Sequence, residues 1–151
     1  MFKRILVPVD VREGEAEVAR QAIDAAAALA KAFGAELRLV HVAIPIIPAS
    51  PMAVIPQSVY DEIGVFEKTE LEALAATIDL PRARSSVCVR IGGVYPEVLG
   101  EAGDWRADLI VVGAHRRSMA TYLLGSTAAA VARHAKCMVM IVRSPLTATL
   151  L

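Results

Sequence analysis

Short apolar runs alternate along the chain with longer stretches in which apolar residues recur every three or four positions. Ile5-Leu6-Val7 is continuous, so residues 4–9 read as a strand buried on both faces. Across 13–33, Val18, Ala22, Ala25, Leu29 and Phe33 recur at helical spacing, and Gly34 supplies the stop. A second strand is expected over 36–42. Residues 43–56 hold Pro45, Pro48, Pro51 and Pro56, which excludes regular structure and leaves a long loop suited to a lid or partner surface. A helix over 58–78 carries Ile63, Phe66, Leu71, Leu74 and Ile78 on one face. Strands follow at 86–91, 109–112 and 139–143. Between them, Gly92-Gly93 turns the chain into a short helix over 95–102, and a last helix spans 126–135.

Strands alternating with helices, and strands apolar on both faces, argue an α/β fold: a doubly wound, five-stranded parallel sheet with helices on both faces. Such sheets bind ligands beyond the carboxyl ends of their strands, where strand order reverses. Asp10 follows the first strand and Gly113 the fourth. Residues 1–144 are expected to form one domain, with a loose tail over 145–151.

The length of 151 residues suits one domain with its own core. Mean hydropathy is +0.51, yet no apolar run approaches the ~20 residues of a membrane span. The segment from Met1 to Val7 runs into Pro8 and Asp10 without a signal-peptide pattern, so a cytoplasmic location is expected. Sixteen basic and sixteen acidic residues cancel, so no global basic field points to nucleic acid. Cys88 and Cys137 lack metal-ligand spacing and read as buried free thiols.

The chemistry concentrates after the fourth strand. Gly113-Ala114-His115-Arg116-Arg117 is followed by Gly125-Ser126-Thr127 at the start of a helix. Glycine admits close backbone approach, and the hydroxyls stand where a helix N-terminus favours an anion. His115 and Arg116 are candidate phosphate contacts, arginine through its planar fork. Asp10 can accept from ribose hydroxyls, approach a bound metal ion, or cap a turn. Val42 can flank a slot for a base, while His41 reads as a satisfied interior histidine. GxxxxGK[ST], GxGxxG and GxSxG are all missing, which disfavours a P-loop, a dinucleotide site and a dedicated hydrolase.

From Lys3-Arg4-Ile5-Leu6-Val7-Pro8-Val9-Asp10 to Val139-Met140-Ile141-Val142-Arg143, the chain resembles the universal stress protein family. The stretch from Tyr122 to Ala135, with Ala114-His115-Arg116 and Gly92-Gly93-Val94, resembles its F/G-type bacterial members. The resemblance implies sheet order 3-2-1-4-5, an adenine nucleotide alpha hydrolase-like fold, and ATP or another adenine nucleotide beside strands one and four. It implies that Pro8, Val9, Asp10 and Val42 surround adenine and ribose. Val112, Gly113, His115 and Arg116 would form one phosphate wall, and Gly125, Ser126 and Thr127 the other. It also implies a homodimer in which the last strand, Val139 to Val142, pairs with its twin. Magnesium is a candidate companion of the nucleotide. Nucleotide-binding members commonly carry a second loop glycine where this chain has Arg116, a residue that can block a triphosphate or supply a cation. Three functions follow: a nucleotide-dependent dimeric stress-response module, a nucleotide-free dimeric interaction module, or a slow ATPase or phosphotransferase.

Overall fold

The computed structural model describes residues 1–12, 16–114 and 124–143, with side chains left out at 16–18. The strands are β1 (Arg4–Pro8), β2 (Glu36–Ala43), β3 (Ser85–Ile91), β4 (Leu109–Gly113) and β5 (Met138–Val142). The helices are α1 (Ala16–Phe33), α2 (Gln57–Ala76), α3 (Val94–Asp104) and α4 (Ser126–His134). All strand pairs are parallel and the order is β3-β2-β1-β4-β5, as the resemblance implied. Strand order reverses between β1 and β4, which puts the crevice of a doubly wound sheet at their carboxyl ends.

The two-residue period of the strands sorts the core into two layers. Ile5, Val7, Val9, Leu37, Leu39, Leu109 and Val111 face α1 and α2. Leu6, Val40, Val42 and Ile110 face α3 and α4, where Val98, Ala102 and Val131 meet them. Burying a side chain such as Ile5 or Leu6 contributes about 1.5–3 kcal/mol.

The α1 face differs from the expected one. Ala22, Ile23, Ala26 and Ala30 enter the core, while Ala25 and Leu29 are half-buried and Phe33 is exposed against Phe2. Ala22 is on the expected face, and the small side chains of Ala22, Ala26 and Ala30 let the helix lie close to the sheet. The α2 face is also shallower than expected. Leu71 and Ile78 are buried, whereas Ile63 and Phe66 are exposed because α2 covers the β2–β3 side of the sheet only in part. Gly34 ends α1 at φ +65°, with the Ala35 N–H donating to the Ala30 carbonyl at 2.9 Å. Cys88 and Cys137 are free thiols but half-buried rather than buried, since Cys88 lies on edge strand β3 and Cys137 just before edge strand β5. Burial still pushes both thiols above their ordinary pKa. Among the described residues no helix is long and apolar enough to cross a membrane. The 145–151 tail lies outside the described residues.

A buried charge cluster braces α3 against the sheet. Glu101, 5% exposed, accepts from Arg38 at 2.7 Å and from Arg90 at 3.0 Å. Arg90 also reaches Glu97 at 2.7 Å, and the Arg38 guanidinium stacks over Trp105 at 4.5 Å. The sequence reading did not single out these residues.

Candidate functional site

The carboxyl ends of β1 and β4 open into a cleft of about 870 Å3, continuous with solvent. Its walls bring together Pro8, Val9, Asp10, Val42, Val112, Gly113, Gly125, Ser126 and Thr127. Nine of the eleven residues singled out from the sequence therefore line one cavity. The other two, His115 and Arg116, lie outside the described residues.

Each wall has a local cause. The Val9 N–H donates to the Val40 carbonyl at 2.8 Å, which carries β1 pairing one residue beyond the strand and delivers Asp10 to the rim. On the other side, the Ala114 N–H donates to Val142 at 2.8 Å, and the Gly125 N–H donates to the Ala114 carbonyl at 2.6 Å. Gly125 is the N-cap of α4, and its carbonyl accepts the first helical bond, from Ala129 at 2.9 Å. The N–H groups of Ser126, Thr127 and Ala128 then have no helical carbonyl to meet, and the helix dipole adds positive potential at the same place. All three residues line the cleft. The opposite wall is apolar, with Val94 and Val98 one turn apart on α3 beside Val42.

Asp10 is engaged by a residue that the sequence reading passed over. The Arg12 backbone N–H donates to Asp10 Oδ1 at 3.0 Å, Nε reaches Oδ1 at 2.7 Å and Oδ2 at 2.8 Å, and Nη2 pairs closely with Oδ2. Burial alone would raise the Asp10 pKa. The Arg12 hydrogen bonds and charge, with a smaller contribution from His41, outweigh it and hold the carboxyl below its ordinary range. The spacing Asp10-x-Arg12 was the available signal, because an aspartate commonly receives the backbone N–H two residues on.

His41 corrects another expectation. It is buried, and its Nδ1 lies 3.0 Å from the Val9 carbonyl oxygen, which can only accept, so Nδ1 carries a proton. Nε2 faces Glu67 Oε1 at 3.4 Å without hydrogen-bond geometry, and Glu67 Oε2 has no hydrogen-bond partner. Only half of the ring is satisfied, because α2 brings Glu67 up off the line of a hydrogen bond. Nothing in the sequence linked two residues this far apart. The 43–56 loop, considered as a lid, contributes no residue to the cleft wall among the described residues.

The model of the universal stress protein family matches residues 1–143. The chain belongs to the universal stress protein family. Its relatives include universal stress protein G of Salmonella typhimurium, 34% identical over 151 residues, which covers 95% of this chain and 100% of the relative. The protein of the same name from Escherichia coli O157:H7 is 33% identical over 150 residues, with 95% and 100% covered. These are relatives of the G type, as the loop and helix motifs implied. Among solved structures, a universal stress protein from Lactobacillus plantarum superposes with a TM-score of 0.74 at 24% identity, covering 94% of this chain and 98% of the other. A universal stress protein solved in complex with cAMP superposes with a TM-score of 0.59 at 26% identity, covering 94% and 97%.

Proposed function

We propose that this universal stress protein binds an adenine nucleotide in the β1/β4 cleft and acts in stress response as a nucleotide-dependent dimeric module in the cytoplasm. The observation that carries the reading is the convergence of two unlike walls on one cleft. Val9, Val42, Val94 and Val98 offer an apolar slot for a flat base, while Ser126 and Thr127 offer donors and dipole potential for phosphate. Asp10, between them, is kept ionised and able to accept from ribose hydroxyls. The resemblance to a universal stress protein in complex with cAMP supports an adenine nucleotide as the ligand.

His115 and Arg116 would complete the phosphate wall from the loop that follows β4. Among the described residues no group of three or more His, Cys, Asp or Glu could hold a metal ion. Magnesium would therefore enter bound to the nucleotide's own phosphates. Asp10 is the one carboxylate lining the cleft among the described residues, and its pairing with Arg12 suits a ligand contact better than a general base. Binding, rather than rapid turnover, is the reading that these residues favour.

The dimer is proposed through β5. This edge strand leaves Met138 53% exposed and Met140 36% exposed, and a twin strand would cover such an apolar edge. Sedimentation of the purified chain tests it, with a dimer expected and a monomer at micromolar concentration counting against it. For the ligand, the purified protein is denatured and the released small molecules are identified by mass spectrometry, followed by calorimetric titration with ATP. Released ATP, ADP or AMP, or saturable ATP binding at one site per chain, supports the reading. No release together with no saturable binding would overturn it.

A further inference from the structure

We propose that His41 and Glu67 hold one proton between them at the wall of the cleft, and that this proton tunes the affinity for an anionic nucleotide, a control that rests on the nucleotide reading above. The Val9 carbonyl oxygen, 3.0 Å from Nδ1, fixes one ring proton there. In a neutral ring Nε2 then presents a lone pair. It faces Glu67 Oε1 at 3.4 Å, and an ionised carboxylate has only lone pairs to offer in return. The His41 and Glu67 side chains are 3% and 13% exposed, and among the described residues neither Nε2 nor Glu67 Oε2 has a hydrogen-bond partner. Two acceptors facing each other out of water repel. A proton on either of them makes the contact attractive without moving a heavy atom.

The charged groups around this ring come from two sides. Helix α2 supplies Glu67, with Glu62 in the same hollow, and the segment after β1 supplies Asp10 and Arg12. Strand β3 sets Val89 in register with His41, and α1 contributes Ala19 to the cleft wall, neither of them charged. Arg12 is paired with Asp10 and also lines the hollow that holds Glu62 and Glu67. However Arg12 is divided among these acids, release of the shared proton makes the region one unit more negative. His41 lines the cleft, and its charge already bears on Asp10. A nucleotide brings further negative charge to that wall. Its affinity therefore falls as pH rises and the pair gives its proton to solvent, and by linkage nucleotide binding draws a proton in.

The test is calorimetric titration of the full chain with ATP from mildly acidic to mildly alkaline pH, for the wild type, Glu67→Gln and His41→Asn. Each variant is read as its affinity relative to the wild type at the same pH, which cancels the titration of ATP, His115 and His134. A glutamine at 67 can donate to Nε2 and needs no shared proton. Glu67→Gln should match the wild type at the acid end and bind ATP about tenfold more tightly at the alkaline end. Titrations in two buffers of different ionisation enthalpy should show fewer protons taken up by this variant on binding. An asparagine at 41 keeps an N–H for Val9 but cannot take up the proton, so the relative affinity of His41→Asn should also rise with pH, from below the wild type. Circular dichroism establishes that each variant is folded across the range, and His41→Asn carries the test if Glu67→Gln is not. A relative affinity that stays constant with pH, while the wild type binds ATP, makes the contact merely structural; it overturns this inference and leaves the nucleotide reading standing. A wild type that binds no ATP at any pH overturns both.

Discussion

The Gly125 N–H donates to the Ala114 carbonyl oxygen at 2.6 Å, which joins the end of β4 to the start of α4. The Gly125 N–H is consumed in this bond, so the donors left for an anion begin one residue later, at Ser126. Ser126→Ala should weaken ATP binding by about 1.5–3 kcal/mol, the worth of a hydrogen bond to a charged group. Adenosine binding should not change. The melting temperature should also hold, because Ser126 is exposed and the helix cap is Gly125. Calorimetric titration with both compounds checks this. An equal loss for ATP and adenosine would place Ser126 away from the phosphates.

Glu101 accepts from two arginines on two different strands while almost fully buried. Glu101→Gln leaves them short of one negative charge and should destabilise the fold by about 3 kcal/mol in urea unfolding, the low end for a broken buried pair because both arginines reach solvent. Glu97, at 29% side-chain exposure, should cost less than about 1 kcal/mol when changed to Gln.

The same carboxylate sets an acid sensitivity. Burial raises the Glu101 pKa, but hydrogen bonds from Arg38, Arg90 and Cys88 outweigh it and hold the carboxyl below the ordinary glutamate value of 4.5. A group whose pKa is depressed on folding stabilises fully above its unfolded value and loses that contribution as pH falls through the folded one. The stability gap between wild type and Glu101→Gln should therefore be widest near neutrality and narrow below pH 4.5. A gap constant from neutral pH down to acid would contradict this.

Gly92 should tolerate a side chain less well than Gly34. At φ +144° Gly92 occupies backbone space that L residues rarely enter, and an added Cβ would lie 3.0 Å from Glu97 Cγ, whose carboxylate Arg90 holds in place. At Gly34 the φ of +65° is left-handed helical, and the nearest atom to an added Cβ is an Arg84 nitrogen at 4.0 Å. Gly34→Ala should cost about 1–2 kcal/mol, from backbone conformation alone. Gly92→Ala should cost more in the same denaturant series.

Strands β1 and β4 were legible because continuous apolar runs have one physical use, burial on both faces. A doubly wound sheet binds beyond the carboxyl ends of its strands, and Asp10 and Gly113, the latter picked out by its pairing with Gly125-Ser126-Thr127, fit that place. The face of α1 was legible at Ala22 but not at Ala26 and Ala30, which carry little hydrophobic signal yet control how closely the helix approaches the sheet. Arg12 and the His41–Glu67 contact escaped for a different reason. The first depends on how the chain turns after β1, the second on where α2 lies over β2, and neither is written in local periodicity.

The central claim is that an adenine nucleotide occupies the β1/β4 cleft. Titration of 15N-labelled protein with ATP, followed residue by residue in amide NMR spectra, tests it most directly. Saturable shifts are expected at Val9, Asp10, Val42, Gly113, Ser126 and Thr127, with the amides of β3 and of the 44–56 loop nearly still. Saturable shifts centred elsewhere, or none at millimolar ATP, would contradict it.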